Sequence, residues 1–466
     1  MADEPATPEK AAPAEGDTST SASPGSPQAP ASRLSLDLKK MASGEFQPAA
    51  DGIDFLTTAR AQNEVAITVR GDSKMRARRI MQLAPTMLGK DHVKAAWRPN
   101  STQLAVAAEK EGNTLLYLFS RSSMPKPSEV HNLGPGKPTW LDWDCQGTSL
   151  AIMQEGVGIY LWDLPKEGGG AAPTQPLRLA PSITVETSFC MWSRKHLQLA
   201  IGTTKGKVII FNKPQQMMQL HERKGKHGAP VTCGDWLSDN RLGLASGQRV
   251  KISKPLPEEG AQWESYSKFK LSGMLSRVPS KFKNAGAPKL LAFSISYPPF
   301  VAVCIGDNYM LVFGTTGAHD NEDVGLTFPE DYGPITGFQW LEDDIVLVSL
   351  ANGYVTAVDF GAMVRMRRQH GLPEAVKATG TTKVFNEYLT CLTYNPKSKR
   401  IACVGDKGVK IITRDGGELE VLVDHTLEYE LTIGHCIDSC RWDEKGNALL
   451  ITATNGHLWC FEFSSK

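Results

Sequence analysis

The sequence has 466 residues, 41% of them hydrophobic, with 51 basic against 50 acidic side chains. A net charge near zero argues against a nucleic-acid binder, whose affinity rests on a basic excess that neutralises phosphate. No apolar run is long enough to span a bilayer, and the opening MADEPATPEK lacks the basic-then-apolar order of a signal peptide. The nine cysteines are scattered and odd in number, and read as reduced thiols of the cytosol or a compartment continuous with it.

The first segment in chain order, residues 1–52, is rich in Ala, Pro and Ser, with seven prolines among the first fifty residues. Such a composition buries too little apolar surface to offset its ordering entropy, and predicts a disordered tail. Within it, RLSLDLKKMA (33–42) reads as an unstructured segment with a few leucines, in preference to a short partner-bound helix. Residues 53–75 form a transition segment of weak pattern.

Residues 76–466 carry one recurring pattern: a short strand ending near Trp, a polar turn, a Leu/Ala-rich strand, a Gly or Asp turn, then a β-branched and aromatic strand. VKAAWRPNSTQLAVAAEKEGNTLLYLF (93–119) is the first copy, followed by TWLDWDCQGTSLAIMQEGVGIYLWD (139–163) and SFCMWSRKHLQLAIGTTKGKVIIFN (188–212). Further copies fall at 231–253, 290–314, 335–360, 389–413 and 438–463, the one at 290–314 being weak. The anchors are Trp97, Trp143, Trp192, Trp236, Trp340, Tyr394 and Trp442, with none assigned in the fifth copy. A period of this length with three or four strands per unit predicts an all-β WD-repeat β-propeller, because each small sheet needs its neighbours to bury its faces. Eight repeat units are counted; seven blades result if the degenerate fifth unit forms none of its own.

RARRIMQLA (76–84) precedes the first unit, and the last unit ends at Phe463. The first segment is therefore expected to complete the last unit's sheet and leave no edge at the closure unpaired.

IGTTKGKVIIF (201–211) nearly spells a phosphate loop. A true one needs a longer spacing between its glycines, Ser or Thr after the Lys and a following helix. Here Val208 follows Lys207 and a strand follows both, at the place where sister copies carry QEGVG, LANGY and ATNGH. The segment is read as a hairpin whose glycine supplies a positive φ.

Hydrolase and protease signatures are absent, so no catalytic residue, cofactor or metal is assigned. Asp142 and Asp144 flank Trp143 and read as turn-bracing groups. HCIDSC (435–440) with His457 is the best metal candidate, but Cys440 reads as a small buried residue of an inner strand, as do Cys190 and Cys233. Basic clusters at 222–228, 276–283 and 365–370 lie between units, on loops. Solvated loops are the default reading; contact with an acidic protein surface or anionic lipid is the alternative. The stretch 257–289 is likewise assigned to a loop, and it joins aromatic residues to lysines. The candidate protein-binding residues are Trp263, Tyr266, Phe269 and Phe282 with Lys224, Lys226, Arg365, Arg367 and Arg368. Aromatic anchors ringed by polar groups are the usual interface chemistry. Packing of the same aromatics onto their own blade is an equal alternative.

MQEGVGIYLWD (153–163), FCMWSRKHLQLAIGTTKGKVIIFN (189–212) and GKHGAPVTCGDW (225–236) resemble, in order, the first-propeller family of WD-repeat protein 19. LTFPEDYGPITGFQW (326–340), VGDKGVKI (404–411) and LLITATNGHLWCF (449–461) continue the likeness over about residues 76–463. The resemblance implies a non-enzymatic scaffold of intraflagellar transport complex A. Its expected work is retrograde transport in cilia and flagella and delivery of membrane-protein cargo. It implies other intraflagellar transport proteins as partners, indirect contact with ciliary cargo, no nucleic acid and no stable membrane insertion. The implied places are the cilium, its base and the cytoplasm. The family continues into a second propeller and an α-solenoid beyond the matched span, which leaves a fragment, an isoform or a stand-alone propeller as readings. A generic WD-repeat adaptor of another cytosolic complex is the alternative function. A propeller enzyme with a site on the ring's axis is the weakest reading.

Overall fold

The computed structural model describes residues 75–89, 93–164, 177–179, 186–213, 217–220, 229–256, 263–271, 286–296, 299–315, 324–361, 375–377, 381–405, 408–415, 418–426 and 437–465. The chain divides into two units, Met1–Gly44 and Glu45–Lys466, and all described residues fall in the second. The tail assigned to 1–52, and the transition segment up to residue 74, lie outside the described residues.

Eight sheets, antiparallel except for Ala375–Lys377 added in parallel to the fifth, follow one another along the chain and form an eight-bladed ring. The degenerate fifth copy builds a full blade from Pro288–Phe293, Phe300–Ile305, Tyr309–Gly314 and Val324–Thr327. Its aromatic anchor is Phe293, which pairs with Val301 where Trp340 of the sixth blade pairs with Val346. The fifth unit thus has an aromatic anchor, a Phe in place of Trp or Tyr.

Alternation along each strand sends side chains to both faces of a blade, and each face enters a core shared with a neighbour. In the second blade Leu150 and Ile152 pack towards the first blade. Ala151 and Met153 pack towards Cys190, Trp192 and Leu199 of the third. A blade's second strand is therefore apolar on both faces, as the all-buried strands Ser149–Gln154 and Ile345–Leu350 show.

Five tryptophan anchors also bolt the blades together. The indole N–H of Trp143 donates to the Ala96 carbonyl at 3.1 Å, and that of Trp192 to Asp142 at 3.2 Å. Trp236 donates to Met191, Trp340 to Ala292 and Trp442 to Thr393 in the same way. Each acceptor immediately precedes the anchor of the preceding blade. A buried indole needs such an acceptor, which is one physical reason for the repeat period. Trp97 breaks the rule: its indole N–H has no partner among the described residues, and the Arg121 guanidinium lies 5.4 Å from its ring centroid.

That exception falls where the ring closes. Met75–Leu83 pairs antiparallel with Leu458–Ser465 as the outermost strand of the eighth blade. The predicted closure is found, beginning one residue earlier than expected.

The segment 201–211 is a hairpin. Gln198–Thr203 pairs with Val208–Asn212, the Gly206 N–H donates to Thr203 O at 3.0 Å, and Gly206 has φ of 74°. The Lys207 N–H donates to Thr203 Oγ1 at 2.9 Å, and Lys205 pairs with Glu186. With a strand where a phosphate site needs a helix N-terminus, Lys207→Ala is expected to leave the melting temperature unchanged. Isothermal calorimetry should find no ATP or GTP binding to either protein; binding that this substitution abolishes would overturn the hairpin reading.

Candidate functional site

Seven of the eight innermost strands carry a β-bulge at the same point, and the extra residues are Thr139, Ser188, Thr232, Lys289, Thr336, Thr390 and Asp438. A bulge unpairs a backbone group, and a hydroxyl can replace the lost bond. Thr139 Oγ1 donates to Met153 O and Thr390 Oγ1 to Val404 O, the carbonyls beside their bulges. Ser188 Oγ donates across to Val231 O of the next blade. Sequence reading missed this feature, although a Thr or Ser four residues before the anchor recurs in five copies. The bulges mark the end of the axis on the face that carries the hairpins between second and third strands.

The inner strands also hold charged side chains, and these charges are paired. Lys94 meets Asp438 at 2.8 Å, and Lys289 pairs with Asp307. Asp142 is not a turn brace: it lies 3.5 Å from Arg441, linking the second blade to the eighth past the small Ala96 of the first. Asp144 does brace its turn, accepting from the N–H groups of Gln146 and Thr148 and from Lys213. Asp235 accepts from the N–H groups of Trp236 and Phe293 and from Arg194 at 2.8 Å. Burial pushes its carboxyl up, while Arg194 and the N–H bonds pull it back. Burial also raises the Cys233 thiol to about 12 and drives Cys190 higher still. Such thiols are packing groups at neutral pH. Of the metal candidate, His435 and Cys436 lie outside the described residues, and Cys440 packs into the core between the seventh and eighth blades.

The aromatic stretch read as a loop is corrected in part: Trp263–Lys270 is the outermost strand of the fourth blade, paired with Arg249–Pro255. Trp263 is 3% exposed, edge-on to Trp236 with ring centroids 5.7 Å apart. Phe269 is half-buried against Phe313 of the fifth blade, at 4.6 Å. Trp263 thus packs on its own blade, whereas Phe269 packs across to the neighbouring one. Tyr266 is the exposed member, at 38%, with Arg241 4.6 Å and Lys254 5.7 Å from its ring centroid. Phe282, Lys224, Lys226, Arg365, Arg367 and Arg368 lie outside the described residues.

Burial sets the expected effects of mutation here. Trp263→Ala removes a buried indole and should cost about 3–5 kcal/mol of stability. Tyr266→Ala loses only exposed cation–π contacts, worth about 0.5–1 kcal/mol each. Denaturant melts of the two variants check this, and equal losses would contradict it.

The family model described as WDR19 first beta-propeller matches residues 93–456. The chain belongs to that family. It is 25% identical over 387 residues to human WD repeat-containing protein 19, covering 81% of this chain and 25% of that protein. To WD repeat-containing protein dyf-2 of Caenorhabditis elegans it is 24% identical over 341 residues, covering 69% of this chain and 21% of that one. The chain thus spans about a quarter of the length of these relatives. Among solved structures it is similar to Sqt1 from Chaetomium thermophilum, with a TM-score of 0.61 and 16% identity over 83% of this chain and 99% of that one. Identity that low speaks for the fold alone. In this WDR19-type propeller no described helix is long and apolar enough to cross a membrane.

Proposed function

We propose that this chain is a non-catalytic protein-binding scaffold of intraflagellar transport. It works with complex A in retrograde ciliary transport and in delivery of membrane-protein cargo to cilia. The observation that carries this reading is membership of the WDR19 first-propeller family across 93–456, supported by relatives named WD repeat-containing protein 19 and dyf-2. The paired charges around the ring's axis support binding over catalysis, since a general acid or base needs a group free to exchange its proton with substrate. The partners in this reading are other intraflagellar transport proteins, with the membrane cargo held indirectly.

The modest identity and the quarter-length coverage of the relatives favour one second reading, a WD-repeat adaptor that serves another multiprotein complex. Tagged protein in ciliated cells separates the two. The first reading expects enrichment at the ciliary base and axoneme, and intraflagellar transport subunits in affinity purification with mass spectrometry. Diffuse cytoplasmic signal and recovery of an unrelated complex would replace it with the second.

A further inference from the structure

The outer hairpin of the fourth blade concentrates positive charge. Arg249 stands directly opposite Lys270, and Lys251 directly opposite Lys268. Alternation puts all four on one face, while Val250, Ile252 and Phe269 take the other face into the core shared with the fifth blade. None of the four makes an ion pair among the described residues. Like charges directly opposite in a sheet are destabilising. Two such pairs in succession, in a chain of net charge +1, form a local concentration of charge that overall composition does not explain. Lys251 is half-buried, and burial, reinforced by the Lys268 charge, lowers its ammonium pKa.

The cluster borders an open sheet edge. Trp263–Lys270 is eight residues long, and no described strand pairs with its outer side. Its backbone N–H and C=O groups are a template for one more strand. Lys268 and Lys270 are two residues apart, about 7 Å along the strand, the repeat at which an added strand presents its own same-face side chains. Tyr266, the extra residue of a bulge in this strand, adds an exposed ring beside Lys254 and Arg241.

We propose that the outer edge of the fourth blade is a docking site for an acidic extended segment of a partner protein. The segment adds as a further strand to Trp263–Lys270 and sets alternate carboxylates against Lys268, Lys270 and the Arg249–Lys251 pair behind them. This goes beyond the transport reading and does not depend on it: the edge and its charge are the same in any complex. Regular spacing and an open backbone edge favour a peptide over a lipid surface or a nucleic acid, neither of which pairs with a strand.

The test uses the full chain and a fluorescent peptide of alternating glutamate and valine, read by polarisation at physiological and raised salt. Wild type is expected to bind, and to weaken at high salt as screening shortens the reach of the charges. Lys268→Glu with Lys270→Glu should weaken binding at least tenfold. The same pair of changes relieves two like-charge contacts, so the melting temperature should hold or rise. A peptide N-methylated on alternate residues keeps its carboxylates but cannot pair with a strand, and should lose binding at least tenfold. Unchanged affinity in the double variant, or equal binding of the methylated peptide, overturns the proposal. So does wild type that ignores the peptide yet binds phosphatidylserine vesicles or single-stranded DNA. Localisation of the protein in cells bears on the transport reading alone, so the two fail separately.

Discussion

A chain lacking residues 75–83 is expected to lose its closed ring. These residues supply the outermost strand of the eighth blade and cover the whole edge of Leu458–Ser465. Met75, Met81 and Leu83 are buried, at 7%, 2% and 3% exposure. Burial of such side chains is worth about 1.5–3 kcal/mol each, or roughly 5–9 kcal/mol for the three. That rivals the roughly 5–15 kcal/mol by which a domain is stable at all. The deletion also opens a long apolar edge, a template for aggregation. Size-exclusion chromatography and thermal melting check it. A monomer with an unchanged melting temperature would remove the closure strand from any part in holding the ring.

The second large effect is expected at the same seam. Between the second and third blades, Lys213 reaches back to Asp144 and Asp163, beneath the indole bolt of Trp192. Between the eighth and first, Arg121 reaches Asp443 at 2.8 Å and Glu462 at 2.9 Å, but Trp97 contributes no bolt. The Asp443 side chain is fully buried. Among the described residues, Arg121→Ala leaves that carboxylate with hydrogen bonds from the N–H groups of Asn447 and Ala448 and no direct ion pair, with the Arg400 charge nearby. Breaking a buried pair by removing one partner costs about 3–5 kcal/mol. We expect about 3, since Arg121 keeps a quarter of its side chain in solvent. In an Asp443→Asn background the same substitution should cost far less, because no buried charge is stranded; additive losses in that cycle would sink the argument.

The seam should also respond to acid. Hydrogen bonds from Arg121, and next from Arg78, hold the Glu462 carboxyl below the ordinary value of 4.5. A depressed carboxyl stabilises the fold fully above its unfolded value and loses that contribution as pH falls through the folded one. Melting temperature should therefore fall more steeply below about pH 4.5 in wild type than in Glu462→Gln. Parallel acid limbs would show that Glu462 adds nothing.

The ring itself was legible because its cause is local and repeated. Gly206 marks its hairpin since a tight turn needs a positive φ, and apolar strands at a fixed period predict blades before any contact is known. Trp143 and Trp192 stood out as anchors for a reason visible only in three dimensions, the carbonyl of the preceding blade. The fifth anchor was overlooked because Phe293 fills the volume of the position without an N–H to donate.

The candidate site was less legible. The stretch around Trp263 reads as a loop because WESYSKFK is polar, and its two apolar residues face different neighbours. A bulge at Tyr266 shifts the alternation between them, and no periodicity of two survives such a shift.

Sequence alone determined the all-β class, the eight repeats, the hairpin nature of 201–211 and the strand that closes the ring, because each follows from side-chain patterns within one unit or its copies. Tertiary structure alone decided which charges are neutralised and which are left over. Arg121 finds Asp443 from 322 residues away, whereas Lys251 and Lys268, much nearer in sequence, meet with like charge. Charge pairing is set by distance in space, and a linear pattern of residues does not contain that distance.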